Sequence, residues 1–591
     1  MQAIRVGLGV VGWILLPASL ATVPVTRVTA APARDTLVVA TLQEPDSLNP
    51  FLGATVAANQ LFRLTYRYLT SYRPGDNHPV PDLATSWRVS PDRLTWTFQL
   101  REGVRWSDGR PVTAADVAFT YRVVMRHPET VNAAAAAVFA EVSALDPATV
   151  EIRTREPTPT MLYLDIPIVP AHAWADRDPA TPVDRPGPLT VGSGPFRLTA
   201  AAPGQFLRLA ADPTYQPAPP RIGTLVLQHF GTSDAAAQAV RKGDADVVAN
   251  LTPAQYTALG RVPGVTTVDA AATRFTELGA NPGAARSDGT PIGDGHPALT
   301  DARVRAAIEH AIDRPTLVAR VLGGHGEAGA GYLPTADKPW SWQPSGDQLR
   351  GYDPGRANQI LDAAGYPRGP DGVRARAGRR LDLRLYVPDS RALYQQSATY
   401  LVSWLREIGI AMTPRLMSDT QLGSRVLAGR YDLFLGGWVL DPDPNFLLSV
   451  QTCAARPDAG GNGSTDLFLC DPEYDRLYNR QARTLDEATR AQLVRAAQER
   501  LYRQALPIVL FYPAVLEAYR SDRFTGFVRR PSGGSAAGWW SYVAIAPAAP
   551  RSTRSASSSR FGWTAGGGAA LAGVLIGALV LRRRARRDER E

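Results

Sequence analysis

Apolar and polar residues alternate strictly over 94–100. Leu94, Trp96, Phe98 and Leu100 are separated by Thr95, Thr97 and Gln99. A period of two sends every second side chain to one face and predicts a half-buried strand. Leu381, Leu383, Leu385 and Val387 repeat the pattern, while 36–41 (TLVVAT), 410–416 and 507–512 read as further strands. Between these stretches the apolar period changes to 3.6. Val304, Ala307, Ile308, Ala311 and Ile312 predict a helix capped by Thr300. Val117, Tyr121 and Val124 predict another, behind a capping box of Thr113 and Asp116. Ile360, Leu361 and Ala364 line a short helix that Gly365 terminates. Leu401, Leu405 and Ile408 line a longer one that stops at Gly409, and 492–504 reads as a helix before the strand 507–512. Helices alternating with strands predict α/β layers.

The two ends break this pattern. Residues 1–33 read as a secretory signal: Arg5, then the apolar run 6–16, then small residues, with cleavage sites open after Ala21, Ala30 or Ala33. Residues 563–581 form an uncharged run of 19, and Arg582, Arg583, Arg584, Arg586 and Arg587 follow at once. That length and those flanking charges predict a transmembrane helix, with the tail 582–591 in the cytoplasm and everything earlier outside. Residues 547–562, rich in Ala, Pro, Ser and Arg, read as a flexible tether.

Charge then narrows the partners. The chain has 591 residues and a formal net charge of +9. The leader carries +2 of this and residues 551–591 carry +6, which leaves only +1 for the rest. The basicity belongs to the ends, so nucleic acid is not the expected partner. The two cysteines, Cys453 and Cys470, are close together in a chain read as exported, which predicts a disulfide. No second Cys or His pair stands near them, so no zinc set is expected.

The stretch 431–446 (YDLFLGGWVLDPDPNF) carries the candidate chemistry. Leu433, Phe434 and Leu435 begin it as a strand. Gly436 and Gly437 permit close approach of a backbone or ligand, and Trp438 adds a large flat surface. Pro442 and Pro444 stiffen a loop holding Asp441 and Asp443. An acid at a strand's carboxyl end, beside an aromatic, suits a ligand bearing an ammonium group.

Residues 80–121 (VPDLATSWRVSPDRLTWTFQLREGVRWSDGRPVTAADVAFTY) resemble the signature of the family 5 extracellular solute-binding proteins, the dipeptide- and oligopeptide-binding receptors of ABC importers. The likeness extends to EPDSLNP at 44–50, GSGPF at 192–196, GDAD at 243–246, DARVRAAIEHAIDRP at 301–315, YDPGRANQILDAAGY at 352–366 and LPIVLFY at 506–512. It departs at both ends and at 282–297, where a loop insertion is expected. The resemblance implies a bilobed type II binding-protein fold of the large class. Lobe I would comprise 34–50, 189–276 and 505–546, with an inserted subdomain at 51–188, and lobe II would be 277–504. Crossings near Glu277 and Gln504 would form a hinge.

The resemblance also implies roles. In the family's peptide-binding members a G-W-x-x-D pattern carries the aspartate that pairs with the peptide's α-ammonium. Gly437, Trp438 and Asp441 match it, and Asp443 is the alternative acid because the following loop looks shorter here. The loop after the first strand points to Leu48 and Asn49, and Arg391 is the candidate for a peptide's carboxylate. Catalytic machinery is missing from the sequence. The seven histidines are scattered without an H-E-x-x-H, no serine lies in G-x-S-x-G, and neither Lys242 nor Lys338 follows a phosphate-binding glycine loop. The expectation is therefore a monomeric, membrane-tethered extracytoplasmic receptor, not an enzyme and without a cofactor, that delivers short peptides to an ABC permease and its ATPase. A nickel chelate or an oligosaccharide is the alternative ligand, and a hydrolase or sensor ectodomain the alternative class.

Overall fold

The alternating strands and helices separate into two mixed sheets. The computed structural model describes residues 35–336 and 338–549. The first sheet has seven strands, in the order Val265–Ala270, Val515–Arg520, Val247–Val248, Thr36–Thr41, Thr224–His229, Phe206–Ala211 and Phe196–Ala202. The second has six, in the order Gly326–Ala328, Ile508–Pro513, Thr276–Ala280, Leu433–Gly436, Asp382–Pro388 and Ala411–Met417. A third, four-stranded antiparallel sheet holds Ala84–Val89, Thr95–Leu100, Thr149–Thr154 and Phe139–Asp146. This is the α/β bilobed architecture, with a smaller sheet attached to the first lobe.

Each lobe closes over its own apolar core. Around the second sheet, Leu278, Leu385, Leu433 and Ile508 pack with Val304, Ile308, Leu401 and Leu405 from the flanking helices. Leu37, Leu209 and Leu225 of the first sheet share a core with Phe98, Val150 and Ile152 of the third. The strand Thr95–Leu100 buries Trp96, Phe98 and Leu100 and leaves Gln99 exposed, as its alternation requires. Gly365 and Gly409 take positive φ angles of 80° and 84° beyond their helices. The left-handed backbone costs glycine little, so both end a helix cheaply. Thr113 and Asp116 form the capping box.

Three expectations are corrected. The helix Ala302–His310 is capped by Asp301, whose carboxylate accepts from the Arg303 amide at 2.9 Å, and not by Thr300. Strand Ile508–Pro513 belongs to the second sheet, pairing with Thr276–Ala280, so the chain returns to the first sheet at Ala514 and not near Gln504. The C-terminal transmembrane helix is withdrawn from the fold class. Among the described residues no helix is long and apolar enough to cross a membrane. The longest of them, Glu487–Arg503, has 17 residues and carries Arg490, Arg495, Glu499 and Arg500 along its length. The expected span 563–581, like the leader 1–33 and the tail 582–591, lies outside the described residues.

Candidate functional site

The two lobes are joined at residues 271–275 and at Ala514, and the candidate loop is fastened to the first of these crossings. Strand Leu433–Gly436 pairs antiparallel with Thr276–Ala280, placing Gly436 opposite Glu277. Beyond Gly436 the chain keeps running beside the crossing. The Phe275 amide donates to the Trp438 carbonyl at 3.2 Å, and the Leu440 amide donates to the Thr273 carbonyl at 2.8 Å. Gly437 makes this approach feasible. Its φ is 154°, and a Cβ there would stand 2.0 Å from the Phe275 carbonyl oxygen. Any other residue would push the loop off the hinge. Trp438 is half-buried; its Nε1 donates to Asp466 Oδ2 at 2.8 Å, and its ring meets Phe446 edge-on at 5.9 Å.

Asp441 and Asp443 have different surroundings. Asp441 is exposed, and among the described residues its carboxylate has no hydrogen-bond or ion-pair partner. Solvent reaches it, but enough protein surrounds it to disfavour its charge. That desolvation, with the charges of Asp165 and Asp443, raises its pKa to about 6. Asp165 comes from the other lobe's subdomain, where Arg63 pairs with it and the Tyr72 hydroxyl donates to it at 2.6 Å. Asp443 is buried and accepts from both terminal nitrogens of Arg490, at 2.5 and 2.7 Å, and from the Asn445 amide at 2.8 Å. Both of its oxygens are engaged within the lobe.

Two guanidinium groups stand near the same hinge. Arg391 is exposed immediately before the helix Ala392–Glu407, 5.8 Å from the ring of Tyr394. Arg274 lies in the crossing itself, bridged to Val439, and its pKa is lowered by burial and by the charge of Arg391. Neither has a carboxylate partner among the described residues. Sequence reasoning missed Arg274; a charged residue beside the fully buried strand Thr276–Ala280 was the available signal. It also missed Asp165, whose relation to the cleft depends on a contact between lobes. Glu277, noted only as a crossing point, is fully buried with both carboxyl oxygens unpartnered among the described residues. Burial, with the charge of Asp466, holds its pKa well above the usual carboxylate range.

The remaining expected residues have structural surroundings. Leu48 is packed in the first-lobe core. Asn49 is fully buried; its Nδ2 donates to the carbonyls of Pro179 and Thr181 at 2.7 and 2.8 Å, and its Oδ1 accepts from the Phe51 amide at 2.8 Å. Its side chain is fully engaged in holding the loop after the first strand to 179–181. Cys453 and Cys470 are bonded, with Cα atoms 4.4 Å apart, and close a loop beyond the candidate site. Among the described residues no group of three or more His, Cys, Asp or Glu side chains is placed to hold a metal ion.

The rim of the cleft is bridged from lobe to lobe. Arg483 Nε lies 2.7 Å from Glu156 Oε2, and His78 Nδ1 lies 3.5 Å from Glu487 Oε2.

The model of the bacterial extracellular solute-binding proteins, family 5 Middle, matches residues 78–457. Protein XP55 of Streptomyces lividans is 30% identical over 516 residues, covering 85% of this chain and 88% of that protein. The probable D,D-dipeptide-binding periplasmic protein DdpA of Escherichia coli is 25% identical over 522 residues, covering 85% and 93%. The crystal structure of NikZ from Campylobacter jejuni in complex with Ni(L-His) superposes with a TM-score of 0.72 at 22% identity, covering 87% of this chain and 100% of that one. At that identity the likeness concerns the fold.

Proposed function

The chain belongs to the bacterial extracellular solute-binding proteins of family 5, and from that membership we propose that its cleft captures short peptides outside the cytoplasm and presents them to an ABC permease. It is a binding receptor, not an enzyme. One observation carries the ligand class: Asp441, an acid of the cleft without a partner, faces the negative charge of Asp165 from the opposite lobe. Arg63 already pairs with Asp165, so Asp441 is the acid left without a counter-charge, and enclosing it on closure is costly unless a cation enters with the ligand. A peptide's α-ammonium supplies that cation. The unpaired Arg274 and Arg391 offer its carboxylate a partner, and the dipeptide-binding relative supports the same class. Trp438 screens the pair from water, and Gly437 ties the anchor to the hinge. Capture and lobe closure then act on the same segment.

The test is calorimetry with a panel of di- and tripeptides, one oligosaccharide and nickel–histidine. The proposal expects binding by peptides alone. Tight binding of nickel–histidine or the sugar, with none by peptides, would refute it.

A further inference from the structure

A cavity of about 310 Å³ is walled only by residues from 63–101, 195–218 and 539–543. No residue of the second-sheet lobe contributes to it, so closure of the lobes is not needed to form it. Its volume falls at the lower end of the range for small-molecule pockets, roughly 300–1,000 Å³.

The walls are aromatic and the charge behind them is unbalanced. Arg67 is 2% exposed. It donates to Asp82 and to the Gln216 carbonyl, each at 2.6 Å, and stacks 4.1 Å from the centre of Tyr215. Its Nε, buried in the same wall, has no partner among the described residues. Arg63 pairs with Asp165 and lies 3.7 Å from the ring of Tyr68. Arg101 donates Nε to the Asp82 carbonyl at 3.2 Å, and its terminal nitrogens have no partner among the described residues. Arg530 stands behind two wall residues, 5.2 and 5.0 Å from the rings of Trp539 and Trp540; it donates to Asn77 and meets no carboxylate among the described residues. Burial and the charge of Arg63 lower the Arg530 pKa to about 10. Four guanidinium groups thus share two carboxylates. Cation–π contacts relieve part of that excess. They leave the Arg67 Nε donor unmet in a buried wall, which costs free energy until an acceptor arrives.

We propose that this cavity is a second binding site, for a small aromatic carboxylate. The carboxylate supplies the missing acceptor for the arginines, which favour planar, paired recognition of such groups. The flat ring lies against the Tyr and Trp walls. The site is formed without the second-sheet lobe and does not depend on the peptide reading of the cleft.

The test is calorimetry on the full chain with indole-3-acetate, and with the neutral indole-3-acetamide as its control. Indole-3-acetate should bind, and the amide should bind about tenfold more weakly or worse, matching the loss of one charge-assisted hydrogen bond. Arg101→Gln should lower the affinity for indole-3-acetate about tenfold, whereas Arg101→Lys should keep most of it, which separates charge from packing. Arg101→Gln should leave peptide affinity unchanged. No binding of indole-3-acetate at millimolar concentration would overturn the proposal, and so would equal binding of acid and amide. Loss of indole-3-acetate binding in Asp441→Ala would place the probe in the cleft and also overturn it.

Discussion

Asp441 and Asp443 stand two residues apart in one proline-braced loop, yet they meet opposite halves of the molecule. Asp443 turns inward to Arg490 and is satisfied. Asp441 turns outward to the cleft, meets the charge of Asp165, and has its pKa raised to about 6. The difference separates a carboxylate paired within the folded lobe from one that the lobe leaves without a partner. Folding alone offers no reason to keep a desolvated acid without a partner.

The largest expected effect breaks the inward half of the comparison. Asp443→Ala leaves the Arg490 charge buried without its partner and should cost about 3–5 kcal/mol of stability, read by denaturant unfolding. Asp441→Asn should do the reverse. Its folded pKa, about 6, lies above the value of roughly 3.9 that an aspartate has in an unfolded chain. The native state therefore binds more protons than the unfolded one between these values, and stability falls as pH rises through that window. Removing the charge should raise Tm at pH 7 and leave it unchanged at pH 3. A lower Tm at pH 7 would show that Asp441 is structural after all.

The outward half is tested by affinity. Asp441→Ala should weaken peptide binding on the order of a hundredfold or more, because the ammonium would be enclosed without its counter-charge. Titration of the same group gives a smaller and graded effect. Asp441 loses its charge as pH falls through about 6, while a peptide ammonium stays protonated between pH 5 and 7. Affinity should drop about tenfold from pH 7 to pH 5. Asp441→Asn should flatten that profile, and an unchanged slope in this variant would assign the titration to another group. The smallest effect belongs to the rim. Arg483 and Glu156 are exposed at 2.7 Å, and an exposed pair contributes about 0–1 kcal/mol. Arg483→Ala should change affinity a few-fold at most, and only at low salt.

Legibility in the sequence followed the range of the interaction. The capping box at Thr113, the glycine stops at Gly365 and Gly409, and the alternation at 94–100 are local, and their signals lie within a few residues. The strand and glycines leading to Asp441 were legible because they stand next to one another in the chain. The role of Asp443 depended on Arg490, 47 residues on. Asn49 looked free to meet a ligand because its partners, Pro179 and Thr181, are 130 residues or more away. Strand 508–513 is buried on both faces. Nothing in such a strand tells which of two sheets it joins, and its partner lies more than 200 residues earlier. Arg274 and Asp165 matter only once the crossing and the opposing lobe are in place.

The central claim is that Asp441 reads the charge of a peptide's amino end. Calorimetry on the wild type and Asp441→Ala, each with free and N-acetylated forms of one tripeptide, tests it most directly. Acetylation should weaken binding to the wild type about as much as the substitution weakens binding of the free peptide. The two changes together should cost little more than either alone, since both remove the same pair. Equal losses for the free and acetylated peptides on substitution would contradict the account and make Asp441 a residue that shapes the loop without reading the ligand.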